Sequence, residues 1–206
     1  MHPNPVYRQT TRQRALDLVR DRGFGTLMIN GADGPLASHV PFVLAPDGQS
    51  ADLHLVRSNP IMRALDEPVP ALLAINGPDG YISPDWYGME DQVPTWNYVA
   101  VHLRGTLQPL PPEALRDQLD RLSATFENRL LPKKPWTLDK VAEPALAKLF
   151  RMILPCRFNI TDVQSTWKLG QNKPASARIG AADGLEAAGI GQDTAWLSQA
   201  MRDTND

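Results

Sequence analysis

Cysteine is almost missing from this chain: Cys156 is the only one in 206 residues. A single thiol closes no intramolecular disulfide and cannot build a thiolate zinc site. An excess of charge of one sign is missing too. Lys and Arg number 21 against 23 Asp and Glu, a formal net charge of -2, so the whole chain has no electrostatic bias toward nucleic acid or an anionic membrane. No apolar run nears the roughly 18 residues of a membrane span. The opening MHPNPVYRQTTRQRALDLV has no unbroken apolar core of signal-peptide type. The expectation is a soluble cytoplasmic protein. Nucleotide fingerprints are absent as well: neither GxGxxG nor a P-loop follows a strand, and no GxSxG elbow occurs. Ser38 precedes His39, but neighbouring strand side chains point to opposite faces and cannot pair as nucleophile and base.

Proline is plentiful, with 19 residues that fall mostly between the periodic segments and punctuate strands and loops. Residues 13–22 place Ala15, Leu16, Leu18 and Val19 among charges, which predicts a short amphipathic helix stopped at Gly23. Five strands follow at FGTLMIN, LASHVPFVLA, ADLHLVRS, VPALLAINGP and NYVAVHLRGTLQPL, joined by Gly/Pro turns. A short helix or turn is expected at NPIMRALDEP. Two helices are expected within about 112–153, the first with Leu115, Leu119, Leu122 and Phe126 at helical spacing. CRFNITDVQSTWKLG returns to strand alternation, and 176–206 reads as a weakly helical tail with one or two weak helices and a frayed end. Short strands without regular intervening helices predict a mainly β, α+β fold with peripheral helices, built on an antiparallel β-barrel rather than a doubly wound parallel sheet. One domain over 1–175, with the helices at about 112–153 inserted, is the expected organisation.

Three places carry chemistry. At LVRSNP a guanidinium (Arg57), a hydroxyl (Ser58) and an amide (Asn59) meet at a strand exit where Pro60 turns the chain. That corner has what a phosphate needs, a cation and several donors; equally, Asn59 could simply make an Asx turn. VPTWNY crowds Thr95, Trp96, Asn97 and Tyr98 into the mouth of a strand, and WKLGQNK sets Lys168, Gln171 and Asn172 just past another. Carboxamides donate and accept in one plane, which suits a flat heterocycle. Each loop taken singly reads as well as a surface loop with its aromatic tucked inward; two together favour a planar ligand. His39, His54 and His102 lie on predicted strands but share no metal-ligand spacing, and no metal site is expected.

In order, FGTL, SHVPF, RSNP, GPDGYISPDWY, VPTWNYVAVHLRG, PWTLDK and WKLGQNK resemble the PaiB-type family, the FMN-binding negative transcriptional regulators, over about residues 3–190. The resemblance implies a split β-barrel of FMN-binding type, a homodimer with FMN at the subunit interface, and similarity to pyridoxamine-phosphate oxidases and flavin reductases. It implies that Ser38, His39, Val40 and Pro41 run beside the flavin ring. Arg57, Ser58 and Asn59 would hold the phosphate with His54 nearby. Trp96, Asn97 and Tyr98 would flank the ring, and Lys168, Gln171 and Asn172 would reach its edge or the ribityl chain. The chain departs from the family pattern at Ser58, Met62 and Gly170 and lacks a histidine before Glu127.

Three functions follow as expectations: a transcriptional regulator, a flavin-dependent oxidoreductase without a catalytic side chain, and a non-catalytic FMN- or haem-binding module. For DNA, the best candidate is the stretch with Arg12, Arg14, Arg20 and Arg22, which lacks the second helix of a helix-turn-helix.

Overall fold

The structure is a computed structural model and describes residues 1–204. Seven antiparallel strands form one sheet: β1 (Phe24–Gly31), β2 (Gly34–Leu44), β3 (Ser50–Val56), β4 (Val69–Ile82), β5 (Thr95–Pro109), β6 (Ile153–Lys168) and the short β7 (Gly191–Gln192). Their order is β1-β2-β3-β6-β5-β4-β7, and β1 also pairs with β4. That extra pairing, Thr26 to Ile29 against Ala71 to Ala74, closes six strands on themselves. Closure removes the free edges that an open sheet would leave. The α-helices are α1 (Arg12–Arg22), α2 (Pro60–Arg63), α3 (Leu115–Glu127), α4 (Glu143–Phe150), α5 (Ala175–Ala188) and α6 (Thr194–Arg202).

The chain divides into two compact units. The first holds Met1–Leu18, Asn76–His102 and the residues from Gln164 on; the second holds Val19–Ile75 and Leu103–Val163. In the second unit, strand alternation sends Leu27, Ile29, Val40, Phe42, Ala51, Leu53 and Phe158 inward, all nearly free of solvent. Two-residue register follows from this: Phe42 stands opposite Leu53, and Leu53 opposite Cys156. Gly105 lies where a β-carbon would collide with the Asn159 carbonyl of β6, so only glycine lets the two backbones meet there.

In the first unit the core consists of Ile82, Val99, Trp167 and Leu169 with Ala177, Ala181, Leu185, Leu197 and Met201 from α5 and α6. The tail expected to hold one or two weak helices carries two, and both pack into this core through Arg202. They read as weak because α5 packs through Ala and Gly: Gly180 and Gly184 lie against Trp86, where a β-carbon would clash. Small residues give little amphipathic contrast.

Candidate functional site

The second unit builds the RSNP corner. β3 ends at Val56, and a turn closed by Asn59 N–H donating to Val56 O (2.9 Å) leads to Pro60 at the first position of α2. The Asn59 side chain is fully engaged: Oδ1 caps α2 by accepting from Ile61 N (2.9 Å), and Nδ2 donates to Ser38 Oγ (3.0 Å). Asn59 is thus the strut that ties the corner to β2. Arg57 is exposed; its Nε donates to Arg151 O (2.6 Å), which leaves both terminal nitrogens without a protein partner among the described residues. Ser58 beside it is exposed. An anchored guanidinium, a free hydroxyl and no carboxylate pairing fit a phosphate.

Beside Ser38, the side chain of His39 is exposed and its ring lies at 22° to that of Phe24, centroids 6.4 Å apart. Val40 is buried in the core and Pro41 half-buried on the His39 side of β2. Phe24, a residue the sequence reading left out, is half exposed and opposite Pro41; an apolar side chain opening a strand was its only signal.

His54 lies in this unit but faces a drier place. Its Nδ1 is buried without a partner, and burial pushes the imidazole pKa down, so it is neutral and no counter-ion for phosphate. Nearby, Gln118 of α3 donates to Leu53 O (2.6 Å) and Cys156 O (3.1 Å). Asp52 accepts from Arg157 (2.7 and 3.0 Å) and Arg121 (2.8 Å). Burial alone would raise its carboxyl pKa, but the hydrogen bonds and charges of Arg157 and then Arg121 bring it below the ordinary value. Burial holds the Cys156 thiol up at about 12, which makes it inert.

The first unit builds a different site. Strand alternation in β5 sends Thr95 and Asn97 to one face and Trp96 and Tyr98 to the other. Asn97 is 1% exposed and Trp96 47%. On the Thr95 face lies a cleft of about 290 Å³ whose lining includes Tyr7, Tyr87, Gln92, Asn97, Lys168 and Lys173. Lys168 Nζ donates to Thr95 Oγ1 (2.5 Å) and Trp96 O (2.8 Å). Lys173 hydrogen-bonds Gln92 and sits 5.2 Å from the Tyr87 ring centre. Burial, then the charge of Lys173, lowers the Lys168 pKa. Asn172 lines the same cleft. Gln171 does not: Oε1 accepts from Leu169 N (2.8 Å), and Nε2 donates to Trp167 O (2.6 Å) and Val6 O (3.3 Å), so it clamps the loop. On the opposite face of β5, Trp96 meets Tyr81 edge-on at 6.3 Å. Tyr7 and Gln92 have no local signal, because distant segments bring them here; Tyr87 reads from GPDGYISPDWYG as a residue that could line a pocket or seal an interface, and Lys173 has its place at the end of WKLGQNK.

Strand order and closure together define a split-barrel fold of flavin-binding type. The chain belongs to the FMN-binding domain family: residues 1–162 match the family described as "Putative FMN-binding domain", and FMN is the cofactor this membership assigns. The chain is similar to the Protease synthase and sporulation protein PAI 2 of Bacillus subtilis (strain 168), at 29% identity over 84% of this chain and 83% of that one. Its fold is similar to the FAD and haem binding protein from Mycobacterium smegmatis, with a TM-score of 0.57 and 21% identity over 79% of this chain and 73% of that one. It is similar also to the flavocytochrome Anf3 from Azotobacter vinelandii, with a TM-score of 0.58 and 13% identity over 81% of this chain and 72% of that one.

Proposed function

We propose that the protein binds FMN as a homodimer, with the 5′-phosphate at Arg57 and Ser58 and the flavin ring along β2 over His39, Pro41 and Phe24. The observation that carries this is the Asn59–Ser38 hydrogen bond (3.0 Å), which joins the strand-exit corner to the SHVPF strand. That bond fixes the corner beside β2; Ser38 itself faces the Val40 side, and the open edge of His39, Pro41 and Phe24 lies on the other face of the same strand. Trp96, exposed, and Tyr98, half-buried on the same face of β5, are assigned to flank a flavin held by the partner copy. Bound FMN supplies one- and two-electron redox chemistry. The chain's residues orient it and compensate the phosphate charge, and no side chain here is assigned an acid or base role.

A regulatory role follows from the family resemblance and ranks second. α1 runs directly into β1 rather than into a partner helix. Its Arg14 lies 4.3 Å from the Trp167 ring centre, and Arg20 donates to Pro46 O (2.9 Å). Those cations are committed within the fold, which argues against α1 as a groove-reading helix.

Fluorescence titration with FMN and riboflavin tests the first reading. FMN should bind more tightly than riboflavin, and Arg57→Ala should weaken FMN about tenfold or more while leaving riboflavin unchanged, the scale of a charge-assisted hydrogen bond. Equal affinity for the two flavins would sink the phosphate assignment.

A further inference from the structure

We propose that the cleft of the first unit, between Lys168 and Lys173, is a second binding site, for the phosphate or carboxylate group of a small molecule other than the flavin.

Two ammonium groups line this one cleft. Neither forms an ion pair with a carboxylate among the described residues; their partners are the Thr95 hydroxyl and Trp96 carbonyl for Lys168, and the Gln92 carboxamide and Tyr87 ring for Lys173. Asp91 reaches the lining but is exposed and pairs with neither. Like charges in a partly buried cleft repel: burial first, and then the charge of Lys173, push the Lys168 pKa down. An oxyanion between them reverses the sign of the interaction.

The cleft is also rich in unused donors. An ammonium has three N–H bonds; Lys168 spends two and Lys173 one. Tyr7 and Tyr87 line the cleft, and neither hydroxyl has a hydrogen-bond partner among the described residues. Lys168 Nζ is already held by two acceptors, the Thr95 hydroxyl and the Trp96 carbonyl, so less side-chain freedom is left to lose on binding. A volume of about 290 Å³ lies at the small end of ligand pockets and suits a small molecule better than a dinucleotide.

The ligand differs from the flavin because Thr95 and Asn97 stand on the opposite face of β5 from Trp96 and Tyr98. One planar ring cannot meet both faces of a strand. This separation rests on the flavin assignment above.

Calorimetric titration of the full-length protein with inorganic phosphate, and separately with benzoate, tests the site. At least one should give a saturable isotherm, in roughly the millimolar range or tighter, and the stronger of the two identifies the ligand class. Lys168→Gln and Lys173→Gln should each weaken binding about tenfold or more, while Arg57→Ala and saturating FMN leave it unchanged. Lys173→Gln, on a residue whose side chain makes one hydrogen bond, guards against misfolding of the Lys168 variant. No saturation by either anion overturns the proposal, and so does a loss confined to Arg57→Ala. Competition by FMN, with FMN affinity falling in the two lysine variants and not in Arg57→Ala, overturns it and also moves the flavin phosphate. Failure of FMN to bind while the lysines still hold the anion removes only the flavin reading.

Discussion

Single residues on the outer side of β3 show how this fold handles buried polarity. Gln118 reaches across from α3 to two strand carbonyls, and Asp52 holds two arginines. His54 has no such compensation for its buried Nδ1. Burial lowers its pKa below the unfolded value. As pH falls through about 6.5, the unfolded chain therefore takes up a proton that the folded chain refuses, and stability drops until the lower folded pKa is reached. Its contribution is thus complete above about pH 6.5 and lost on the acid side, with a slope of at most about 1.4 kcal/mol per pH unit. Urea unfolding at pH 7 and pH 5.5 should show the wild type losing stability over this interval, with His54→Phe losing measurably less. An identical slope in both proteins would place the titration elsewhere. Such roles were only partly legible from the sequence. LVRSNP announced a capped turn, and Asn59 does cap α2. That its other end grips Ser38 depends on a contact across 21 positions, which no local pattern encodes.

Whole elements meet through residues chosen for what they lack. β5 and β6 approach each other at Gly105, and α5 meets the Pro84–Tyr87 turn at Gly180 and Gly184. At Gly105 the obstacle to a side chain is the Asn159 backbone; at Gly184 it is the Trp86 ring, which is half-buried. Backbone cannot yield without breaking ladder bonds, whereas a ring can turn. Gly105→Ala should therefore cost about 3 kcal/mol or more and Gly184→Ala about 1–3 kcal/mol, the usual range for overpacking. Thermal and urea denaturation would check the order, and a larger loss for Gly184→Ala would contradict it. The strands were legible because their apolar residues alternate, and α3 because its leucines recur at helical spacing. α5 read only as a weak helix, since alanine and glycine bury well yet carry almost no periodic signal.

At the scale of the molecule, the flavin reading requires two copies. Phe24 and Trp96 are each about half exposed, at 50% and 47%, and large exposed aromatics favour interfaces. Sedimentation of the FMN-loaded protein at tens of micromolar should return twice the chain mass, and Trp96→Ala should shift it toward the monomer. A monomer that binds FMN with full affinity would refute the shared site. What the sequence by itself determined is the class: alternating strands, Gly/Pro turns and the ordered motifs already specify a closed antiparallel barrel and its flavin family, because periodicity and turn chemistry are local properties. Only the tertiary structure decided how the motif residues divide. It turned Gln171 inward as a clamp, sent Asn97 to the opposite face from Trp96, and gathered Tyr7, Tyr87 and Lys173 around Lys168. The physical reason is that a strand's two faces serve different surroundings, and which surroundings those are depends on segments remote in the chain.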